Sequence, residues 1–521
     1  MSLLRSNFVM IAVLWMLPPA HAAAEPEAVR TQSGLVQGVV STDGTVVAYK
    51  GIPFAAPPAG DARWKAPLPP APWTGVRQAV RFSDSCVQRI VEERKPWTYE
   101  FMAHNAVSED CLYLNVWIAK SSASANRPVF VWIHGGGYTE GSTAVPTYDG
   151  ENLAKRGIVV VTINYRLGVF GFFAHPELTG ESAHRSSGNY GMMDQVAALE
   201  WVQKNIAAFG GDPKRVTIGG QSAGAGSVHN LVASPLAKGL FHRAIAESGS
   251  AIVPNARMMS LQEAEQQGSK FAESIGAKSL ADLRKIEAKE LLAKITPGPT
   301  TSFRPIVDGW FLPVSPRDVF ASGKHADVPT LTGLTADEGS SQPDYGKVPA
   351  DKWSQQIRQR FGDVADRILA LYPADASESQ KALSREQGLI CMHLWAADRA
   401  KTAKTKVFTY YWTHAEPGPD SVRFGAFHTS EVPYVFNTLD KSDRGWTNGD
   451  RKIAQMVGTY WVNFMTSGDP NGPGVPRWPA FDASSASTME LGDRFGVRPL
   501  PDKAKIQFFT DYLLRPNPAA R

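Results

Sequence analysis

Cysteine is scarce in this chain. Three residues in 521 allow at most one disulfide. An excess of one charge is also missing: 54 Lys and Arg stand against 50 Asp and Glu, for a net +4. The basic residues are scattered, with no long run, so nucleic acid is not an expected partner. Beyond the N-terminus no segment approaches the roughly 18 consecutive apolar residues of a membrane span, so the mature chain should be soluble. Repeats, low-complexity tracts and a clear linker are absent too. What remains is an ordinary globular composition, 43% hydrophobic and 20% charged, able to bury a large core.

The first residues carry an address. Arg5 precedes an unbroken apolar run from Phe8 to Leu17, then Pro18-Pro19 and the small-residue pattern Ala20-His21-Ala22. Residues 1–22 read as a secretory signal peptide, and their apolar run is too short to cross a bilayer. The mature chain, 23–521, is therefore expected in the periplasm or outside the cell. Cys86 and Cys111 enclose a polar loop, and Cys391 lies in a distant helix-like stretch. One disulfide and one buried thiol account for all three in an oxidising compartment.

Strand-like runs occur at 112–118, 129–133, 158–164, 216–218, 329–334 and 407–412. Residues 29–50 read as hairpin material. Helical patterns fall at 191–208, 261–294, 350–405 and 451–467. Alternating helices and near-continuous apolar strands imply an α/β fold, a mostly parallel sheet covered on both faces. One catalytic domain with helical insertions fits better than two domains.

Val216-Thr217-Ile218-Gly219-Gly220-Gln221-Ser222-Ala223-Gly224 is the most informative stretch. A β-branched run stops at Gly-x-Ser-x-Gly and a small-residue, helix-compatible stretch follows, the layout of a nucleophile elbow. With 45 glycines in the chain, such a pattern arises by chance in roughly one chain of four. The surroundings decide. A serine nucleophile needs a base, a carboxylate to orient the base, and donors for the oxyanion. Upstream, Val131-Trp132-Ile133-His134 runs into Gly135-Gly136-Gly137, which exposes backbone N–H groups. Gly136, Gly137 and Ala223 are the candidate oxyanion donors. Downstream of the strand at 329–334, Asp337 and Glu338 both qualify as the acid, and spacing does not separate them. His393 sits in a helical stretch, and His414 follows a strand. His428 sits in a small-residue loop between strand and helix and is the candidate base.

Together these segments resemble the type-B carboxylesterases of the α/β-hydrolase fold, a family that includes cholinesterases and bacterial para-nitrobenzyl esterases. The likeness also rests on Gly51-Ile52-Pro53-Phe54-Ala55, Ser108-Glu109-Asp110-Cys111-Leu112, Asn164-Tyr165-Arg166, Gly188-Asn189-Tyr190-Gly191, Phe209-Gly210-Gly211-Asp212-Pro213, Ala246-Glu247-Ser248-Gly249-Ser250 and Ser467-Gly468-Asp469-Pro470-Asn471. It implies a carboxylic-ester hydrolase with the triad Ser222, Glu338 and His428, a Cys86–Cys111 disulfide, and Ser248 beside the acid. It implies no metal and no cofactor, and a small-molecule ester as the substrate; the oligomeric state stays open. Two positions depart from the cholinesterase pattern. Gln221 replaces the Glu before the nucleophile, and Phe101 replaces the Trp that would meet a choline cation; both changes weaken cation binding. Residues 96–107, 253–300 and 340–400 are expected to shape the pocket. The same machinery would also serve an amide or thioester bond, and the same scaffold a non-catalytic binding protein.

Overall fold

The computed structural model describes residues 26–120, 126–250, 257–295, 301–375 and 377–513. The signal-peptide reading of residues 1–22 lies outside the described residues. The apolar, β-branched runs form the strands of one eleven-stranded sheet. In chain order these are β1 (Val39–Val40), β2 (Val46–Pro53), β3 (Tyr113–Ala119), β4 (Arg127–Ile133), β5 (Val159–Ile163), β6 (Gly211–Gln221), β7 (Arg243–Glu247), β8 (Thr330–Thr335), β9 (Val407–Trp412), β10 (Ser487–Leu491) and β11 (Gly496–Pro499). Across the sheet the order is β11-β10-β9-β8-β7-β6-β4-β5-β3-β2-β1. Neighbours from β10 to β5 are parallel, and the pairings beyond them at both edges are antiparallel. The hairpin material at 29–50 divides: β1 and β2 join this sheet, while Val29–Arg30 and Leu35–Gln37 pair in a small separate one.

The central strands are buried along their whole length, which is why they read as continuous apolar runs rather than alternating ones. Their period of two sorts the side chains between faces. Val129, Val131 and Ile133 of β4, with Val159, Val161 and Ile163 of β5, enter one core. Phe130, Trp132 and Val160 enter the other. Helices close both faces. Helix α1 (Tyr190–Asn205) and α2 (Ala223–Ala233) bury Leu199, Val202, Val228 and Leu231 in the first core. Three more helices are α3 (Ala350–Phe361), α4 (Ser377–Ala400) and α5 (Asn448–Ser467). Helix α5 covers the second face with Val457, Trp461 and Phe464. A further helix, α6 (Lys503–Leu513), joins α3 and α4 in a satellite core around Ile368, Ile390 and Phe509.

The parallel strands carry the chemistry to one edge, as open α/β sheets do. Ser222 follows β6, Ser248 follows β7 and Glu338 lies three residues past β8. His428 hangs in the loop after β9. A buried ion pair braces this edge. Arg166, just past β5, grips Asp194 of α1 through two side-chain bonds of 2.6 and 2.8 Å, and its backbone N–H donates to the same carboxylate at 3.0 Å. The two side chains are 3% and 0% exposed. Removing one partner of such a pair strands a buried charge, at about 3–5 kcal/mol. Arg166→Met should lower unfolding stability by that amount in urea titration, and adding Asp194→Leu should recover part of it.

Candidate active site

The turn at Ser222 is set by close approach of two backbones. A side-chain carbon on Gly224 would sit 2.0 Å from the carbonyl oxygen of Ile133. One on Gly220 would sit 2.6 Å from both that oxygen and the Gly224 carbonyl carbon. Only glycine lets β6, α2 and the end of β4 meet this tightly. The chain turns between the two glycines by placing Ser222 at φ 59°, ψ −120°, a conformation that costs of order 1–3 kcal/mol for a residue with a side chain. Its N–H is held by the Glu247 carbonyl at 2.8 Å. Ala223 opens helix α2, where free N–H groups favour developing negative charge.

The carboxyl that meets the histidine is that of Glu338. Its Oε2 accepts a short hydrogen bond from His428 Nδ1, and its Oε1 accepts from the Thr335 N–H at 2.9 Å. Asp337 points elsewhere. It accepts from the Ala426 N–H at 3.1 Å and the Tyr345 hydroxyl at 3.1 Å, and so pins the start of the histidine loop. Burial pushes the Glu338 carboxyl up, but the charge and hydrogen bond of His428, the Thr335 N–H and the Ser248 hydroxyl together hold it below its ordinary value. Burial pushes His428 down, and the Glu338 charge and hydrogen bond outweigh it, leaving the imidazole above its ordinary value. Bonding at Nδ1 leaves Nε2 as the basic nitrogen, which accepts a hydrogen bond from the Gln221 side-chain amide. The Gln221 side-chain nitrogen lies 3.2 Å from that Nε2 and adds no charge.

Ser222, His428, Gly135, Gly136 and Gly137 line one cavity of about 280 Å³. Gly136 and Gly137 adopt φ of 101° and 62°, and a side-chain carbon on Gly136 would fall 2.1 Å from the Glu140 carbonyl oxygen. His134, at the start of this glycine run, is stacked on Tyr165 and pushed down to about 4 by burial, so it stays neutral and structural. The Cys86–Cys111 disulfide closes the loop that roofs the cavity. That loop lends Arg89, Arg94, Trp97 and Phe101 to the wall. Trp97 Nε1 donates to the His428 carbonyl at 3.0 Å and to Thr429 Oγ1 at 3.1 Å. Of the three segments expected to shape the pocket, only 96–107 lines this cavity; no described residue of 253–300 or 340–400 does. Cys391 is buried away from the cavity, its thiol pushed up to about 12.

A fold with Ser222 at a strand–helix elbow, Glu338 bonded to His428, and a glycine run facing both invites comparison with known proteins. The model of the carboxylesterase family matches residues 25–509. The chain belongs to the carboxylesterase family. It is 38% identical over 508 residues to a fumonisin B1 esterase of Sphingopyxis macrogoltabida, covering 93% of this chain and 91% of that one. It is 33% identical over 497 residues to the para-nitrobenzyl esterase of Bacillus subtilis (strain 168), covering 92% and 97%. To the human cocaine esterase it is 33% identical over 487 residues, covering 87% and 85%. The chain is a carboxylic-ester hydrolase of the α/β-hydrolase fold.

Two buried residues beneath the site received no role in the sequence reading: Glu247 and Glu431, 0% and 1% exposed. A buried carboxylate carries no linear signal, since Glu at a strand end or in a loop reads as solvated. The electrostatics of the histidine are open to measurement. By proton NMR, His428 should titrate above the ordinary histidine value of 6.5. In Glu338→Gln the pairing is lost while the burial remains, so the same signal should move to lower pH.

Proposed function

We propose that this carboxylesterase hydrolyses its substrate through an acyl-enzyme on Ser222, in a single catalytic domain spanning 23–521. The observation that carries the proposal is the His428–Glu338 hydrogen bond at the cavity that Ser222 and the glycine run also line. In the first half-reaction, His428 Nε2 takes the Ser222 hydroxyl proton as Oγ attacks the ester carbonyl. Glu338 holds the ring through Nδ1 and stabilises the imidazolium that forms. The N–H groups of Gly136, Gly137 and Ala223 receive the oxyanion of the tetrahedral intermediate. His428 then protonates the departing alcohol. In the second half-reaction it takes a proton from water as the water oxygen attacks the acyl carbonyl, then returns that proton to Ser222 Oγ as the Oγ–acyl bond breaks and the acid leaves. Every proton passes through one imidazole, and each step uses groups this chain supplies.

Substrate charge is the second element of the proposal. Neutral Gln221 lies beside the nucleophile, and Arg89 and Arg94 line the cavity. Arg94 is balanced by Glu140, which leaves Arg89 without an ion-pair partner among the described residues. That surrounding disfavours a quaternary ammonium group near the scissile bond. The disulfide supports an oxidising compartment, periplasmic or extracellular, as the place of action.

Steady-state kinetics on a short-chain nitrophenyl ester test the mechanism. Ser222→Ala should lower kcat by about 10⁴- to 10⁶-fold, and Glu338→Gln by about 10⁴-fold. Asp337→Asn should lose far less, because that carboxyl holds the loop rather than the ring. The kcat/KM profile should rise with pH through the His428 titration, since the base must be neutral to act. For the pocket, a choline ester should be hydrolysed about tenfold less efficiently than its uncharged dimethylbutyl analogue, and Gln221→Glu should narrow that ratio.

A further inference from the structure

The acid and the base of the triad arrive on separate loops, Glu338 after β8 and His428 after β9. The bonds that cross between the loops set the distance between the two side chains. Just before Glu338, the Asp337 N–H donates to the Ala426 carbonyl at 2.9 Å, and the Ala426 N–H donates to Asp337 Oδ2 at 3.1 Å. Gly425 permits this approach: at its φ of 56°, a side-chain carbon would fall 2.3 Å from Asp337 Oδ2. Just after Glu338 the tie is Arg423, in the single helical turn Ser421–Phe424. Its Nη1 donates to the Ser340 carbonyl at 3.0 Å. Its Nη2 donates to the Gln342 carbonyl at 2.8 Å and the Pro343 carbonyl at 3.4 Å. Among the described residues no carboxylate pairs with Arg423: Asp420 takes Lys95, and Asp337 faces Arg385 at 3.7 Å. The guanidinium is spent on the backbone of the acid loop and the face of the Phe424 ring. Arg423 does not line the active-site cavity.

We propose that Arg423 is a positioning residue for the triad: it clasps the loop of the acid to the loop of the base and so sets the contact between Glu338 and His428. Glu338 is then tied on both sides, at Asp337 and at Ser340, to the segment 423–426 that leads into His428. The Thr335 N–H fixes the Glu338 carboxyl against its own strand, but it does not fix that strand's loop against the histidine. A guanidinium suits the task because its donors form a rigid fork, so one side chain holds successive carbonyls in a set geometry. A Lys in its place would keep the charge and lose the fork. This inference rests on the triad reading above.

Arg423→Met should lower kcat about tenfold, since misplacing a catalytic group by up to 1 Å costs up to about 100-fold. KM should stay within about twofold, because the side chain is outside the cavity. In a Glu338→Gln background, where the contact is already lost, the same change should cost less than about twofold. A tenfold loss in both backgrounds would mean a general loosening and would overturn the proposal. The pH profile separates the clasp from a direct charge effect. The titratable groups that act on His428 are Glu338 and Glu431. With the Glu338 contact loosened and the burial unchanged, the acid limb of kcat/KM should move to lower pH. Loss of a nearby positive charge alone would move it to higher pH, so a limb that rises or stays still contradicts the clasp. Arg423→Lys should behave like Arg423→Met in direction; full activity in that variant would assign the effect to charge and reject the fork. Proton NMR of His428 gives the same readout without turnover, and it should titrate lower in Arg423→Met than in wild type. Full activity in Ser222→Ala would sink the triad reading instead, while the NMR comparison would still decide whether Arg423 holds the Glu338–His428 pair.

Discussion

The approach of a helix to a strand at Gly220 and Gly224 is the constraint on which the site depends. The Ile133 carbonyl lies where a side-chain carbon on either glycine would need to be. With both side chains absent, the turn closes, Ser222 is driven to positive φ, and its backbone N–H docks on the Glu247 carbonyl. The strain at one residue is repaid by the packing of β4, β6 and α2, whose apolar side chains fill the first core. Position then follows from register. Gln221 lies beside Glu247, and Glu247 beside Gly333, so successive parallel strands deliver Ser222, Ser248 and Glu338 to one edge.

Around that edge the rest of the site is tied by contacts from distant parts of the chain. The disulfide-closed loop reaches the histidine loop through Trp97, and Asp337 holds the same loop through the Ala426 N–H. Non-glycine residues at positive φ recur here: Ser222, Ser248 and Thr429 flank the reacting groups. Such conformations persist only where the surroundings over-determine them. The electrostatics follow the same logic. Glu338 is held below its ordinary value by His428, while burial pushes Glu247 and Glu431, which make no ion pair among the described residues, toward the neutral form.

Much of this was legible from the order of residues. The β-branched run ending at Gly219, the glycines around Ser222 and the His-Gly-Gly-Gly segment each carry their geometry in composition, because only those residues permit it. Local pattern left Asp337 and Glu338 equivalent; the family resemblance separated them, and the structure places Glu338 against the histidine. The sheet was incompletely readable. Arg243–Glu247 is short and alanine-rich, and Ser487–Leu491 and Gly496–Pro499 mix polar with apolar residues, so β7, β10 and β11 gave no strand signal. Nor did the pocket follow from segment position. Helices at 350–400 build the satellite core with α6 instead of lining the cavity, since helical periodicity reveals an apolar face but not what it meets. The burial of Glu247 and Glu431 was invisible for a related reason: burial of a charge is a tertiary fact.

The central claim is that Ser222 is the residue that forms the covalent intermediate. Mass-spectrometric mapping after treatment with an organophosphonate ester tests it most directly. The account predicts one adduct per chain, on the peptide that carries Ser222, formed with a rate that rises through the His428 titration. An adduct on another residue, or none with the folded protein, would contradict it.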